Sequence, residues 1–138
     1  MEIRFKSADE RAASDRALES ARLEWHWKRR PSLQTLEGPW RRFVLQVEQS
    51  FEEDLIEYEH QLSWRDTLQD IIDQVPFSIG QQIREHLARW DDRFRLATVA
   101  GEESVDIDEV HRGRWWYRRI PRRGGDLVKA ELRLRKRT

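Results

Sequence analysis

Apolar positions recur along most of this chain at helical spacing. The clearest run follows Gly38-Pro39, where Trp40, Val44, Val47, Phe51, Leu55, Tyr58 and Leu62 fall within about 40° of one line at about 100° per residue. That stripe predicts a helix with one buried face, and Pro39 takes a first-turn position where its missing N–H costs nothing. Ser63-Trp64-Arg65-Asp66 offers another helix start, so a bend is expected there, with Trp64, Leu68, Ile71, Ile72 and Val75 continuing to Pro76. Ser78 can cap a further helix that carries Ile79, Ile83, Leu87, Trp90, Phe94 and Ala97 on one face.

The ends of the chain read differently. Residues 1–6 alternate apolar and charged, as a short half-buried strand would. Ser7-Ala8-Asp9-Glu10 then matches a capping box, and the helix it opens is expected to run to about Arg30, before Pro31. Leu18, Ala21 and Trp25 share one side of that helix, whereas Leu23 and Trp27 fall nearly opposite, so either two sides are covered or Trp27 is exposed. From Thr98 to His111 the periodicity fades and acid accumulates, which predicts a solvated loop. Trp115-Trp116-Tyr117-Arg118-Arg119-Ile120 is rich in strand formers, and Val128, Ala130, Leu132 and Leu134 alternate with charged residues beyond Gly124-Gly125. A hairpin is favoured for 112–138, with a C-terminal helix as its rival because Ala, Glu, Leu, Arg and Lys are good helix formers. The fold class expected is mainly α (α+β): an irregular three- or four-helix bundle with a small antiparallel β-hairpin or sheet at the C-terminus, to which 1–6 could add a strand.

Composition narrows the functional classes. A length of 138 residues suits one domain, 1–138, large enough to bury a core without disulfides or a structural metal. No cysteine is present, which removes disulfides, thiolate zinc sites and cysteine nucleophiles. No apolar run approaches membrane-spanning length and the first residues lack a signal-peptide core, so a cytoplasmic address is expected. Charged residues make up 38% of the chain, yet seven tryptophans at helical spacing supply what a folded core uses. The zero net charge hides a bipolar distribution: residues 1–110 hold 15 basic and 24 acidic side chains, and residues 111–138 hold 11 and 2. Residues 43–110 are the most acidic, with 5 basic against 17 acidic side chains.

Catalytic signatures are sparse. Glu57-Tyr58-Glu59-His60, with Glu53 a turn earlier, has the ligand spacing of di-metal helical bundles, but these side chains lie opposite the apolar stripe, and the only second copy is Asp108-Glu109-Val110-His111. A metal-dependent helical enzyme is therefore the least favoured reading. His86 shares the side of Ile83 and Trp90, as a partly buried histidine with a hydrogen-bond partner would, and His26 between Trp25 and Trp27 suits a structural role. No nucleophile elbow, phosphate loop or dinucleotide fingerprint occurs, and no cofactor is expected.

The Arg/Trp-rich C-terminal segment is the strongest candidate. A non-catalytic protein-recognition module of inhibitor, immunity, antitoxin or adaptor type would use Trp27, Trp115, Trp116, Tyr117, Arg118, Arg119, Arg122 and Arg123 together with an acidic helical face. The partner would be another protein or a second copy of the chain. The alternative is nucleic-acid binding, with Arg112, Arg114, Arg133, Arg135 and Arg137 on phosphates and one outward tryptophan stacked on a base.

Overall fold

A computed structural model describes residues 1–101, 104–105 and 114–136, residue 136 by its backbone alone. His111, Arg112 and Arg137, the Asp108 to His111 motif and most of the acidic stretch after Gly101 lie outside the described residues. The described elements are α1 (Ala8–Glu24), a 3-10 turn (Leu33–Thr35), α2 (Gly38–Gln49), α3 (Leu55–Gln74), α4 (Phe77–Ala97), β1 (Thr98–Ala100), a second 3-10 turn (Trp115–Arg118), β2 (Arg119–Pro121) and α5 (Asp126–Lys136). The protein is mainly α with one small two-stranded antiparallel sheet near its C-terminus.

The chain forms two compact units, each built from two stretches: Met1–Gly38 with Arg65–Arg89, and Pro39–Trp64 with Trp90–Thr138. In the first unit the buried apolar side chains are aliphatic, among them Ile3, Leu18, Leu33, Leu68, Ile71, Ile79, Ile83 and Leu87. In the second they are largely aromatic, with Trp40, Phe43, Phe51, Tyr58, Phe94, Trp116 and Tyr117 buried. Ring centroids of Phe43 lie 5.7 Å from Trp40, 5.9 Å from Phe51 and 5.7 Å from Tyr58, so the rings meet tilted or edge-on, as their quadrupoles favour. The buried Trp40 indole N–H donates to Asp91 Oδ1 at 3.0 Å.

The capping box at α1 forms: Glu10 N–H donates to Ser7 Oγ at 3.1 Å, and Glu10 Oε1 accepts from Lys6 N–H at 3.0 Å. The helix stops six residues short of Arg30, because the chain reverses at His26, whose φ is 57°. Trp27 N–H reaches Arg22 O at 3.0 Å and Trp25 N–H reaches Ala21 O at 3.0 Å. This is the backbone reversal that glycine ordinarily provides, here made by a histidine, and no glycine marks it in the sequence. Residues 1–6 form no strand. Side chains of α4 hold them instead: the Gln82 amide accepts from Arg4 N–H at 2.7 Å and donates to Arg4 O at 2.8 Å, satisfying both backbone groups as a strand partner would.

The long stripe from Trp40 to Leu62 is buried throughout, but it belongs to two helices. Residues 50–54 leave the helix because Phe51 pairs its backbone elsewhere: its N–H donates to Arg123 O at 3.1 Å and its carbonyl accepts from Gly125 N–H at 2.6 Å. Asp54 then starts α3, accepting from Glu57 N–H at 2.8 Å. The expected bend at residues 63–66 is absent, and Ser63 sits inside α3 with its hydroxyl on His60 O at 2.5 Å.

The expected C-terminal hairpin is replaced. The segment expected as loop from residue 98 opens with β1, and β2 pairs with it in the register Thr98↔Pro121, Val99↔Ile120, Ala100↔Arg119. Residues 126–136 form the rival helix, α5, entered through Gly124 and Gly125 at φ 70° and 76°. Alternation misled here because only Val128 of the alternating set is fully buried, whereas Leu134 is 61% exposed.

Two glycine-type positions generate opposite predictions. A Cβ on Gly124 would lie 2.5 Å from Phe51 O and 2.6 Å from Ser50 Oγ. Gly124→Ala should therefore lower stability by about 1–3 kcal/mol, whereas His26→Gly should raise it by roughly 0.5–1 kcal/mol. Urea unfolding of both variants checks the signs.

A second prediction concerns pH. The Glu10 carboxyl is held below its ordinary value of 4.5 by the Lys6 N–H and then by the Ser78 hydroxyl, which donates to Oε2 at 2.7 Å, against a smaller opposing effect of burial. Because the folded form binds this proton less readily than the unfolded chain, the carboxylate's contribution is complete above pH 4.5 and disappears as pH falls through the folded value. Glu10→Gln should flatten the acid side of a stability-against-pH curve and lower stability at neutral pH.

Candidate interaction surface

The second unit concentrates its arginines at the C-terminal end of α4. A helix ends with four backbone carbonyls that lack intrahelical partners. Here all four are answered without a glycine. Thr98 Oγ1 donates to Phe94 O at 2.7 Å, and Arg119 Nη2 donates to Arg95 O at 2.8 Å. Arg122 Nε reaches Leu96 O at 3.3 Å, and Arg122 N–H donates to Ala97 O at 2.9 Å. Arg119 continues to Thr98 O at 2.9 Å and to Thr98 Oγ1 at 3.0 Å. Two guanidinium charges thus sit at the negative end of the helix dipole, which stabilises each by about 0.3–1 kcal/mol.

Strand β2 fixes this arrangement from beneath. The buried Tyr58 hydroxyl donates to Arg119 O at 2.6 Å, and burial pushes that phenol above its ordinary pKa, opposed in part by the Arg119 charge. Gly101 N–H donates to Arg118 O at 2.9 Å, so the edge of β1 extends past its last paired residue.

These contacts consume carbonyls and leave carboxylates out. Arg118 is exposed and forms no ion pair among the described residues, and Arg123 reaches Glu48 O at 3.5 Å. Glu48 itself is engaged by Arg93, at 2.8 and 2.5 Å. Arg118, Arg119, Arg122 and Arg123 form a basic corner in which none pairs with an acid among the described residues, and beside it Leu96 is 76% exposed.

The aromatic part of the candidate set is mostly internal. Trp116 and Tyr117 are buried at 2% and 0% exposure, so they build the core and cannot touch a partner. Trp115 is half-buried, 6.0 Å from Phe94, and the Arg95 guanidinium lies 3.9 Å over its ring. Trp27 belongs to the first unit, half-covered after α1, where its carbonyl accepts from Arg22 at 3.2 Å, and it is not part of the corner. Arg114 lies 5.6 Å over the Trp116 ring, Arg135 pairs with Glu59, and Arg133 is exposed.

Sequence reading missed Thr98, Leu96 and Glu131, which caps α3 by accepting from Leu55 N–H at 3.2 Å. Only the α3 start was signalled, by Asp54-Leu55-Ile56-Glu57, an acid at the cap followed by a glutamate three residues later.

Other candidate groups are occupied or dispersed. His86 Nε2 lies 2.9 Å from Glu2 O, in the half-buried position expected of it. Glu53 accepts from Gln46 at 3.0 Å, Glu57 from Gln61 at 2.8 Å, and His60 is exposed beside Trp64. Among the described residues no group of three His, Asp or Glu side chains converges as a metal site would require, and no helix is long and apolar enough to cross a membrane. Compared with protein-family models, with curated proteins and with solved structures, the chain has no match.

Arg119 should matter for stability and Arg118 should not. Arg119→Met leaves the Arg95 and Thr98 carbonyls short of donors and should cost about 1–3 kcal/mol. Arg118→Met should change the urea midpoint little.

Proposed function

We propose that this protein is a non-catalytic recognition module of inhibitor, immunity, antitoxin or adaptor type, whose basic corner receives a carboxylate-rich surface of another protein. The observation that carries the reading is the set of four arginines, Arg118, Arg119, Arg122 and Arg123, that form no ion pair with an acid among the described residues. Arg119 and Arg122 are already immobilised by carbonyls, so a partner would meet guanidinia whose ordering cost was met during folding. Leu96, exposed among them, supplies an apolar contact of the kind that flanks charged anchors at interfaces. Acidic side chains at Glu52 and Glu53 are exposed in the same unit and would repel an anionic partner there, favouring one orientation.

The nucleic-acid reading draws on the same arginines, but no aromatic ring of the described residues from Trp115 to Tyr117 offers an open platform. Sequence-tolerant binding of single strands needs an open ring face. Trp116 and Tyr117 are buried, and the Arg95 guanidinium already lies on Trp115.

The test uses the immobilised protein and its Arg118→Glu/Arg123→Glu variant, which leaves the helix-capping arginines in place, against nuclease-treated extract of the source cell. The native chain should retain a protein partner that the variant loses, with retention weakening as salt rises. Equal retention by both forms would show that the corner is not the binding surface. Retention that nuclease abolishes, with direct binding of an oligonucleotide, would replace this reading with the nucleic-acid one.

A further inference from the structure

Within the second unit, α3 and α5 lie side by side in the same direction. Two contacts fix this: Leu55 N–H donates to Glu131 Oε2 at 3.2 Å, and Glu59 pairs with Arg135. Both join residues 76 apart, so position n on α3 is level with position n+76 on α5. One flank of the pair faces the core, carrying Leu55, Tyr58 and Leu62 from α3 and Val128 from α5. At about 100° per residue, the other flank carries Ile56 from α3 and Leu127 and Leu134 from α5. Those three are 68%, 45% and 61% exposed, which puts three apolar side chains on the flank that carries the Glu59–Arg135 pair.

The two margins of that flank have opposite charge. Between residues 50 and 64 the chain has no Lys or Arg, and among the described residues the Glu53 and Glu57 carboxylates bond to the glutamines Gln46 and Gln61 and to no cation. On the α5 margin Arg133 is exposed and pairs with no carboxylate among the described residues. A two-fold axis parallel to the helices would lay α3 of each copy over α5 of the other, joining the apolar side chains and bringing unlike margins together. Such an axis preserves height along the helices, and the offset of 76 residues places Glu57 level with Arg133. The chain therefore presents the complement of its own surface in charge and in register.

We propose that two copies of this chain pair through the α3/α5 flank, Ile56 and Leu134 forming the contact's apolar centre and Glu57 of each copy meeting Arg133 of the other. Three exposed apolar side chains per copy put the contact in the small, reversible class, so the dimer forms with rising concentration.

Sedimentation equilibrium of the full chain from micromolar to millimolar concentration tests this. The native protein should shift from monomer to dimer over that range. Ile56→Asp, at a solvent-exposed position, should remain monomeric with unchanged circular dichroism and thermal midpoint. Glu57→Arg and Arg133→Glu should each remain monomeric alone, because each places like charges opposite one another. Mixed in equal amounts they should restore the dimer, since both contacts then join Arg to Glu. A native chain that stays monomeric throughout, a dimer that survives Ile56→Asp, or charge-swap variants that fail to recover on mixing would each overturn the proposal.

Discussion

The backbone of Phe51 is the constraint on which the second unit depends. By giving its N–H and carbonyl to residues 123 and 125, it withdraws from the helical ladder and divides one apolar stripe between α2 and α3. The same pairing requires Gly124, where a Cβ would collide with Phe51 O, and it anchors the turn from which α5 departs. The direction of α5 along α3 follows, and with it the Glu131 cap on Leu55 and the Glu59–Arg135 pair. The bridge is short, but a helix break, a glycine turn and a helix pair all refer to it.

At the end of α4 hydrogen-bond satisfaction and charge separate. Carbonyl oxygens can saturate a guanidinium's donors without cancelling its charge. Arg119 and Arg122 are fixed in place by Arg95 O, Leu96 O and Thr98 O, yet no carboxylate among the described residues pairs with them. An arginine paired with glutamate, as Arg93 is with Glu48, offers much less to a partner. Among the described residues the positive charge of the C-terminal segment is therefore paired with a carboxylate at Arg135 and left without one at Arg118, Arg119, Arg122 and Arg123.

The sequence made the helical segments and their buried faces legible, because periodicity records burial whether or not the helix is continuous. That indifference hid the break at residues 50–54: Phe51 and Leu55 are both fully buried, and the stripe stays in phase across the gap. The early end of α1 was illegible for another reason, since a left-handed histidine does what a glycine usually announces. At the C-terminus, the alternation of residues 128–134 matched a strand, although Leu134 contributes nothing to the core. The arginines were visible as candidates, but which serve α4 and which remain available depends on tertiary contacts that no local pattern encodes. Trp116 and Tyr117 show the same limit, being aromatic residues in a basic segment that the core claims.

Each unit is assembled from two stretches separated by the other's residues, and this sets the order in which the chain can fold. The first 38 residues lack their packing partners until residues 65–89 have been synthesised, and residues 39–64 must wait for those beyond 89. Nearly all stabilising contacts between stretches are distant in sequence, so neither unit can mature early on the ribosome. A nascent chain interrupted near Arg89 would carry the aromatic residues of α2 and early α3 without the rings that cover them, an exposed sticky surface for chaperones to shield.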